Sequence, residues 1–235
     1  RYYEPGELTT LIGYEFSPTL PDQGKHHRNI IFRSNIVPDR AISSLDVPNA
    51  IELWKGLEAG CGAGCDFLTM PHNPNKAWGL MYSRFTWDGQ EYSEADWRLR
   101  QKREPLAEIF QIKGAQECAL GVGATDEECA FEQVFGPCQP GEITGCAFET
   151  GFVRQGLKVG LELDRELGFN PMQVGFIAAT DTVQRVTQVM DTIALRMKER
   201  IVAVGDDDPV SQDILIGATD ELEKAAWMLR SQLTM

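Results

Sequence analysis

Three histidines, His26, His27 and His72, all fall early in the chain. Imidazole is a good ligand for zinc, iron or manganese. His72 lies in Thr69-Met70-Pro71-His72-Asn73-Pro74-Asn75, a turn after an apolar strand that points its ring out of the sheet end; the bland alternative is a surface-loop histidine. His27 precedes the apolar run Ile30-Ile31-Phe32. Neighbouring side chains on an extended chain face opposite sides, so at most one of His26 and His27 serves a site on this element. The alternative for this pair is a solvated polar turn. Glu15, in Gly13-Tyr14-Glu15-Phe16, ends another apolar strand, where a carboxylate can bridge two metal ions or simply face solvent. Asp181 follows Ile177-Ala178-Ala179-Thr180 and reads either as a ligand or as the N-cap of the next helix.

A second group of residues suits an anion. Glu108, Gln111 and Lys113 fall on or near one strand, and Lys113 with Glu117 could hold a phosphate through charge-assisted hydrogen bonds. The alternative is an edge strand with solvated charges. Arg154 could contact an anion from a helix first turn, or be an ordinary surface arginine. The short basic patch Arg98–Arg103 reads as a solvated helix face. No dinucleotide fingerprint, phosphate loop or nucleophile elbow occurs in the sequence.

Alternating strands and helices must position these groups. Strands are expected over Leu8–Phe16, Asn29–Arg33, Asp66–Met70, Ala107–Lys113 and Gln173–Ala179, with weaker candidates at Arg200–Val204 and Asp213–Ile216. Helices are expected over Pro48–Ala59, from a Ser93 cap to Arg103, over Gly151–Leu167 and over Val183–Arg200, with a last one from Thr219 or Asp220. In the third helix Val153, Leu157, Leu161 and Leu167 fall on one broad face. This alternation implies an α/β fold with a mostly parallel sheet and functional groups at the carboxyl ends of its strands. Phe176–Asp181 and Leu215–Asp220 form a near-repeat, each expected as a strand, a Thr-Asp pair and a helix start. The 235 residues are expected to form a single α/β domain.

The formal net charge of −13 opposes phosphate backbones, which argues against a nucleic-acid partner. No apolar run approaches the ~20 residues of a membrane span. Arg1-Tyr2-Tyr3-Glu4-Pro5 has no signal-peptide core, and a start without Met is expected of a processed chain or fragment. Six cysteines suggest three local disulfides, Cys61–Cys65, Cys118–Cys129 and Cys138–Cys146, the last two bracing an irregular excursion. The rival is a structural zinc site around Cys61-Gly62-Ala63-Gly64-Cys65. Disulfides would imply the periplasm or the cell exterior.

In order, several segments resemble a bacterial family of secreted proteins related to the PHP (polymerase and histidinol phosphatase) metal-dependent phosphoesterases. They are Thr9–Glu15, His27–Arg33, Pro71–Asn75, Glu104–Gly114, Asp126–Glu132 and Gly175–Thr182, so the likeness spans roughly residues 8–182. The resemblance implies part of a distorted (β/α) PHP-like barrel with a cysteine-braced insertion. It also implies a divalent metal (zinc, manganese or iron) held by Glu15, His27, His72 and Asp181. Two features depart from the family pattern. The opening His-x-His motif is absent, and Val183 stands where a histidine follows the last aspartate. At most a partial ligand shell therefore remains. The expected activity is metal-dependent hydrolysis of a phosphoester or related ester in a small anionic substrate, with Lys113 or Arg154 stabilising the transition state. The alternatives are a non-catalytic binding or structural protein on a degenerate scaffold, or one chain of a larger assembly whose partner chain supplies the missing ligands.

Overall fold

The computed structural model describes residues 10–178, 182–204, 208, 211–213, 215–220 and 223. Two compact units divide the chain, residues 1–178 and 179–235.

In the first unit, β1 (Gly13–Phe16), the short β2 (Thr19–Leu20) and β3 (Gly24–Lys25), and β4 (Arg28–Phe32) come first. Helix α1 (Ala50–Gly60) and β5 (Phe67–Pro71) follow, then α2 (Glu94–Arg103) and β6 (Leu106–Gln111). The short strands β7 (Gly114–Ala115), β8 (Ala119–Leu120) and β9 (Gly123–Ala124) lead to α3 (Val153–Leu167) and β10 (Gly175–Ala178). The principal sheet, β1-β4-β5, is antiparallel throughout, with Phe16 opposite Arg28 and Arg28 opposite Pro71. Alternate residues of its strands (Phe16, Ile30, Phe32 and Phe67) form one apolar face. Helix α1 covers that face with Leu53 and Leu57. Its start is fixed by Asn49, whose side chain accepts a hydrogen bond from the Glu52 amide. Ile51 and Trp54 of the same helix join a second core with Tyr82, Tyr92, Trp97, Val153 and Leu163.

The expected PHP-like barrel and mostly parallel sheet are overturned. Among the described residues the strands form separate sheets of two or three strands, and no barrel closes. The physical reason is direction. An extended parallel pair needs a long crossover connection, usually a helix, and among the described residues only β6 to β10, across α3, makes one of this kind, while β8 and β9 pair in parallel as two-residue strands. The α1 connection returns β5 antiparallel to β4.

Other expectations shift as well. Arg200–Val204 lies inside a helix, and Ser211–Asp213 and Leu215–Asp220 are helical, so the second copy of the near-repeat is not a strand-to-helix turn. Strand β6 is central to its sheet, and Glu108 and Gln111 are buried rather than solvated at an edge. On α3 the buried stripe is Val153, Gly156, Gly160 and Leu163, spaced three and four apart, which leaves Leu161 on the outer side. The Arg98–Arg103 patch is no solvated face, because Arg100 and Arg103 are buried. In the second unit, α4 (Thr182–Val204) is the long helix; Gln212 donates to the Ile201 carbonyl and Lys198 pairs with Glu223.

All three local disulfides form as the spacing suggests, and no cysteine is left for a zinc site. They fit a protein of an oxidising compartment. Among the described residues no helix is long and apolar enough to cross a membrane.

Helix α2 starts in a capping box. The Asp96 amide donates to Ser93 Oγ, while the Ser93 amide and hydroxyl donate to the Asp96 carboxylate. Burial alone would raise the Asp96 carboxyl, but Ser93 and the Lys55 ammonium hold it below its ordinary value. A depressed folded-state pKa stabilises above the unfolded value near 4 and is lost as pH falls through the folded one. Asp96→Asn is therefore expected to cost about 1 kcal/mol at neutral pH. The gap between the urea midpoints of variant and wild type should shrink steadily as pH falls below about 4; a gap that does not shrink there would refute the assignment.

Candidate metal centre

Glu15, His27 and His72 come from three different strands or their ends, yet meet on one face of the principal sheet. Strand register explains how. Glu15 is opposite Asn29, and Asn29 is opposite Met70. Stepping two residues along each chain, to His27 and to His72, keeps the same face at the period of a pleated strand. The backbone amide of His72 donates to the carbonyl of His27 at 3.3 Å, which continues the ladder past the ends of β4 and β5. Because the strands are antiparallel, the carboxyl ends of β1 and β5 and the amino end of β4 share one edge. The strand-end expectation for Glu15 and His72 thus holds, while His27 arrives from an amino end.

The Glu15 carboxylate accepts from His27 Nδ1 at 2.7 Å and lies 3.3 Å from His72 Nε2. The two imidazole centroids are 5.8 Å apart. One ligand atom from each residue lies within 4.8 Å of the others. Four-coordinate zinc with bonds of about 2.0–2.1 Å separates its ligand atoms by about 3.3 Å, so the donor set fits one ion with small adjustments. Burial pushes the Glu15 carboxyl up, but hydrogen bonds from His27, His72 and Ser17 outweigh it and hold the group well below the carboxylate range. Glu15 is accordingly an anion, as a ligand must be. Both histidines are buried and Glu15 is exposed, which leaves the open side of the cluster at the carboxylate.

The other described candidates are not part of this cluster. Asp181 is outside the described residues. Arg154 is committed to Glu117 at 2.5 Å and Asp126 at 3.0 Å, so both the arginine and Glu117 are engaged with each other rather than arranged around a ligand. Lys113 is tied to the turn after His72, because Asn75 Nδ2 donates to its carbonyl at 2.9 Å. His26 faces away from the cluster, in line with the alternation. Burial and the cations of Arg28 and Arg100 push its pKa well down, so it is neutral.

Sequence reasoning passed over Ser17 and Asn73. Ser17 Oγ donates to the Glu15 carboxylate. Its signal is its place two residues beyond Glu15, on the same face. Asn73 is left-handed (φ 58°) and fully buried, and its amide has no hydrogen-bond partner among the described residues. Its signal is the Asn-Pro pair. A residue before proline is pushed out of the right-handed helical region, and Asn is among the few non-glycine residues enriched in the left-handed one.

A family model described as "Protein of unknown function (DUF3604)" matches residues 1–192. No curated protein and no solved structure matches the chain.

Proposed function

The chain belongs to the DUF3604 family, and from that premise we propose that Glu15, His27 and His72 form the metal centre of a hydrolase acting on a phosphoester or related ester. The observation that carries this is the convergence of one carboxylate and two imidazoles on one sheet face within 4.8 Å. Three protein ligands with an open position are the pattern of catalytic rather than structural zinc. A bound divalent ion (zinc, manganese or iron) would polarise the ester and supply hydroxide from water at neutral pH. The chain's own residues orient that chemistry. Ser17 and His27 fix the Glu15 carboxylate, and buried His72 anchors the donor set from below. Lys113, on the loop tied to the turn after His72, is the candidate for holding the developing negative charge. The likeness to PHP-type phosphoesterases supports this chemistry, without the barrel. Three disulfides support a site of action in the periplasm or outside the cell.

A non-catalytic binding role is the second reading. Glu15 already accepts from His27 directly at 2.7 Å, so the cluster can satisfy itself as a hydrogen-bonded triad. One assay separates the two. Metal-loaded protein is screened against aryl phosphomonoesters, phosphodiesters and carboxylic esters, with Glu15→Gln alongside. Turnover that chelation removes, zinc or manganese restores and Glu15→Gln lacks is expected. Equal background rates for wild type and variant would sink the hydrolase.

A further inference from the structure

The sheet face that carries the metal centre continues, away from it, into an apolar groove. Gly13 is opposite Ile31, and Ile31 is opposite Leu68. These three stand two residues along their strands from Glu15, Asn29 and Met70, so the pleat keeps them on the same face. From His27 to Ile31 is four residues, roughly 13 Å at about 3.3 Å each. On the opposite face, helix α1 covers the sheet with Leu53 and Leu57. On this face Ile31 is only half-buried although it stands on the central strand, and Leu68 beside it is half-buried too. Both line a cavity of about 500 Å³ together with Leu11 and Pro105. Its size, its apolar floor and its few charged groups are those of a site for a small organic molecule.

The charges in the groove's lining give an independent observation. Arg33, Asp66, Lys102 and Arg103 also line it. Arg103 is held by Glu58 at 2.6 Å and by Asp66 at 2.7 Å, and Lys102 by Glu58 at 2.9 Å. Arg33 is left over. Among the described residues its one ion-pair partner is Asp66 at 3.9 Å, an acid already engaged by Arg103, and its side chain is 83% exposed. Three cations share two carboxylates, so the group carries an excess positive charge in a chain whose net charge is −13. An apolar floor beside an underused guanidinium is complementary to an amphiphilic anion.

We propose that this groove binds an aliphatic carboxylate of medium chain length, its tail on Leu11, Ile31 and Leu68 and its head on the Arg33 guanidinium. A guanidinium matches a carboxylate with two parallel hydrogen bonds, and the tail takes apolar surface of the groove out of water. Leu11, 57% exposed, gains the most cover from such a tail. The site is distinct from Glu15, His27 and His72, so it stands whether or not the chain is a hydrolase.

The test is calorimetric titration of the full chain with octanoate, octanol and acetate, once stripped of metal and once loaded with zinc. Octanoate is expected to bind equally well in both states, octanol about tenfold more weakly for want of one charge-assisted contact, and acetate not measurably. Arg33→Gln should bring octanoate down to the affinity of octanol, and Leu11→Ser should weaken octanoate about fivefold. Both side chains are exposed, so the melting temperature of each variant should match wild type. Octanoate bound no better than acetate, or bound equally by wild type and both variants, overturns the groove site. Octanol bound as tightly as octanoate overturns the role of Arg33. Binding that appears only with zinc puts the carboxylate on the metal, which overturns the groove site and leaves the metal centre standing.

Discussion

Natively purified protein is expected to carry about one divalent ion per chain, and His72→Ala and Glu15→Gln are each expected to lose it. The expectation follows from donor count. Three ligands are the minimum seen in catalytic zinc sites, so removing one leaves two and an open coordination sphere. Even residues that only hydrogen-bond to a ligand cost about 10–100-fold in affinity when replaced, and a direct ligand costs more. The two substitutions act on different strands, β1 and the end of β5, so a shared loss cannot come from one local distortion. Elemental analysis after dialysis, followed by competitive zinc titration, reads the effect. Superimposable thermal unfolding of apo variants and apo wild type would show that the fold is intact. A wild-type chain that holds no metal and takes up none from micromolar zinc would refute the centre, leaving Glu15, His27 and His72 as a hydrogen-bonded triad.

Local signals carried further into the structure than long-range ones. The Ser93 cap and the Glu104-Pro105 stop bound α2 as the sequence implies. The three disulfides close the short loops their spacing offered. Each of these is decided by residues a few positions apart. The metal candidates were legible for a similar reason, since a polar residue ending an apolar strand marks a sheet edge wherever the strand lies. Strand direction was not legible. Alternating strands and helices suit a parallel sheet, yet pairing β1-β4-β5 antiparallel brings the same residues together and depends on contacts between distant segments. Nor was the buried charge. Arg100 and Arg103 sit in a basic run that reads as solvated, and their partners make burial tolerable, Glu104 one helical turn on for Arg100 and the distant Glu58 and Asp66 for Arg103.

Glu104→Gln is expected to destabilise the first unit by about 3–5 kcal/mol, a large share of a domain's total stability. Glu104 joins two buried arginines, with Arg28 Nε at 2.7 Å from one carboxylate oxygen and Arg100 Nη2 at 2.9 Å from the other. The side chains of all three are no more than 2% exposed. Removing the carboxylate charge leaves two guanidiniums without their shared counter-ion in a poorly solvated interior. The surface pair Arg98–Glu94 has equally short geometry at 2.7 Å, but both side chains are more than half exposed. Glu94→Gln is therefore expected to cost only about 0–1 kcal/mol. Urea denaturation of the two variants, side by side, measures the contrast; equal midpoints would refute the buried triad as the stronger contact. The consequence reaches the metal centre. Arg28 is the first residue of β4, its Nη1 donates to the His26 carbonyl at 3.4 Å, and its neighbour His27 supplies one of the three donors. Loosening Arg28 lets the first residues of β4 shift, and a shift of even 1 Å there moves His27 Nδ1 out of ligand range. At a urea concentration that leaves Glu104→Gln folded, its zinc affinity should fall as well, whereas Glu94→Gln should bind zinc like wild type.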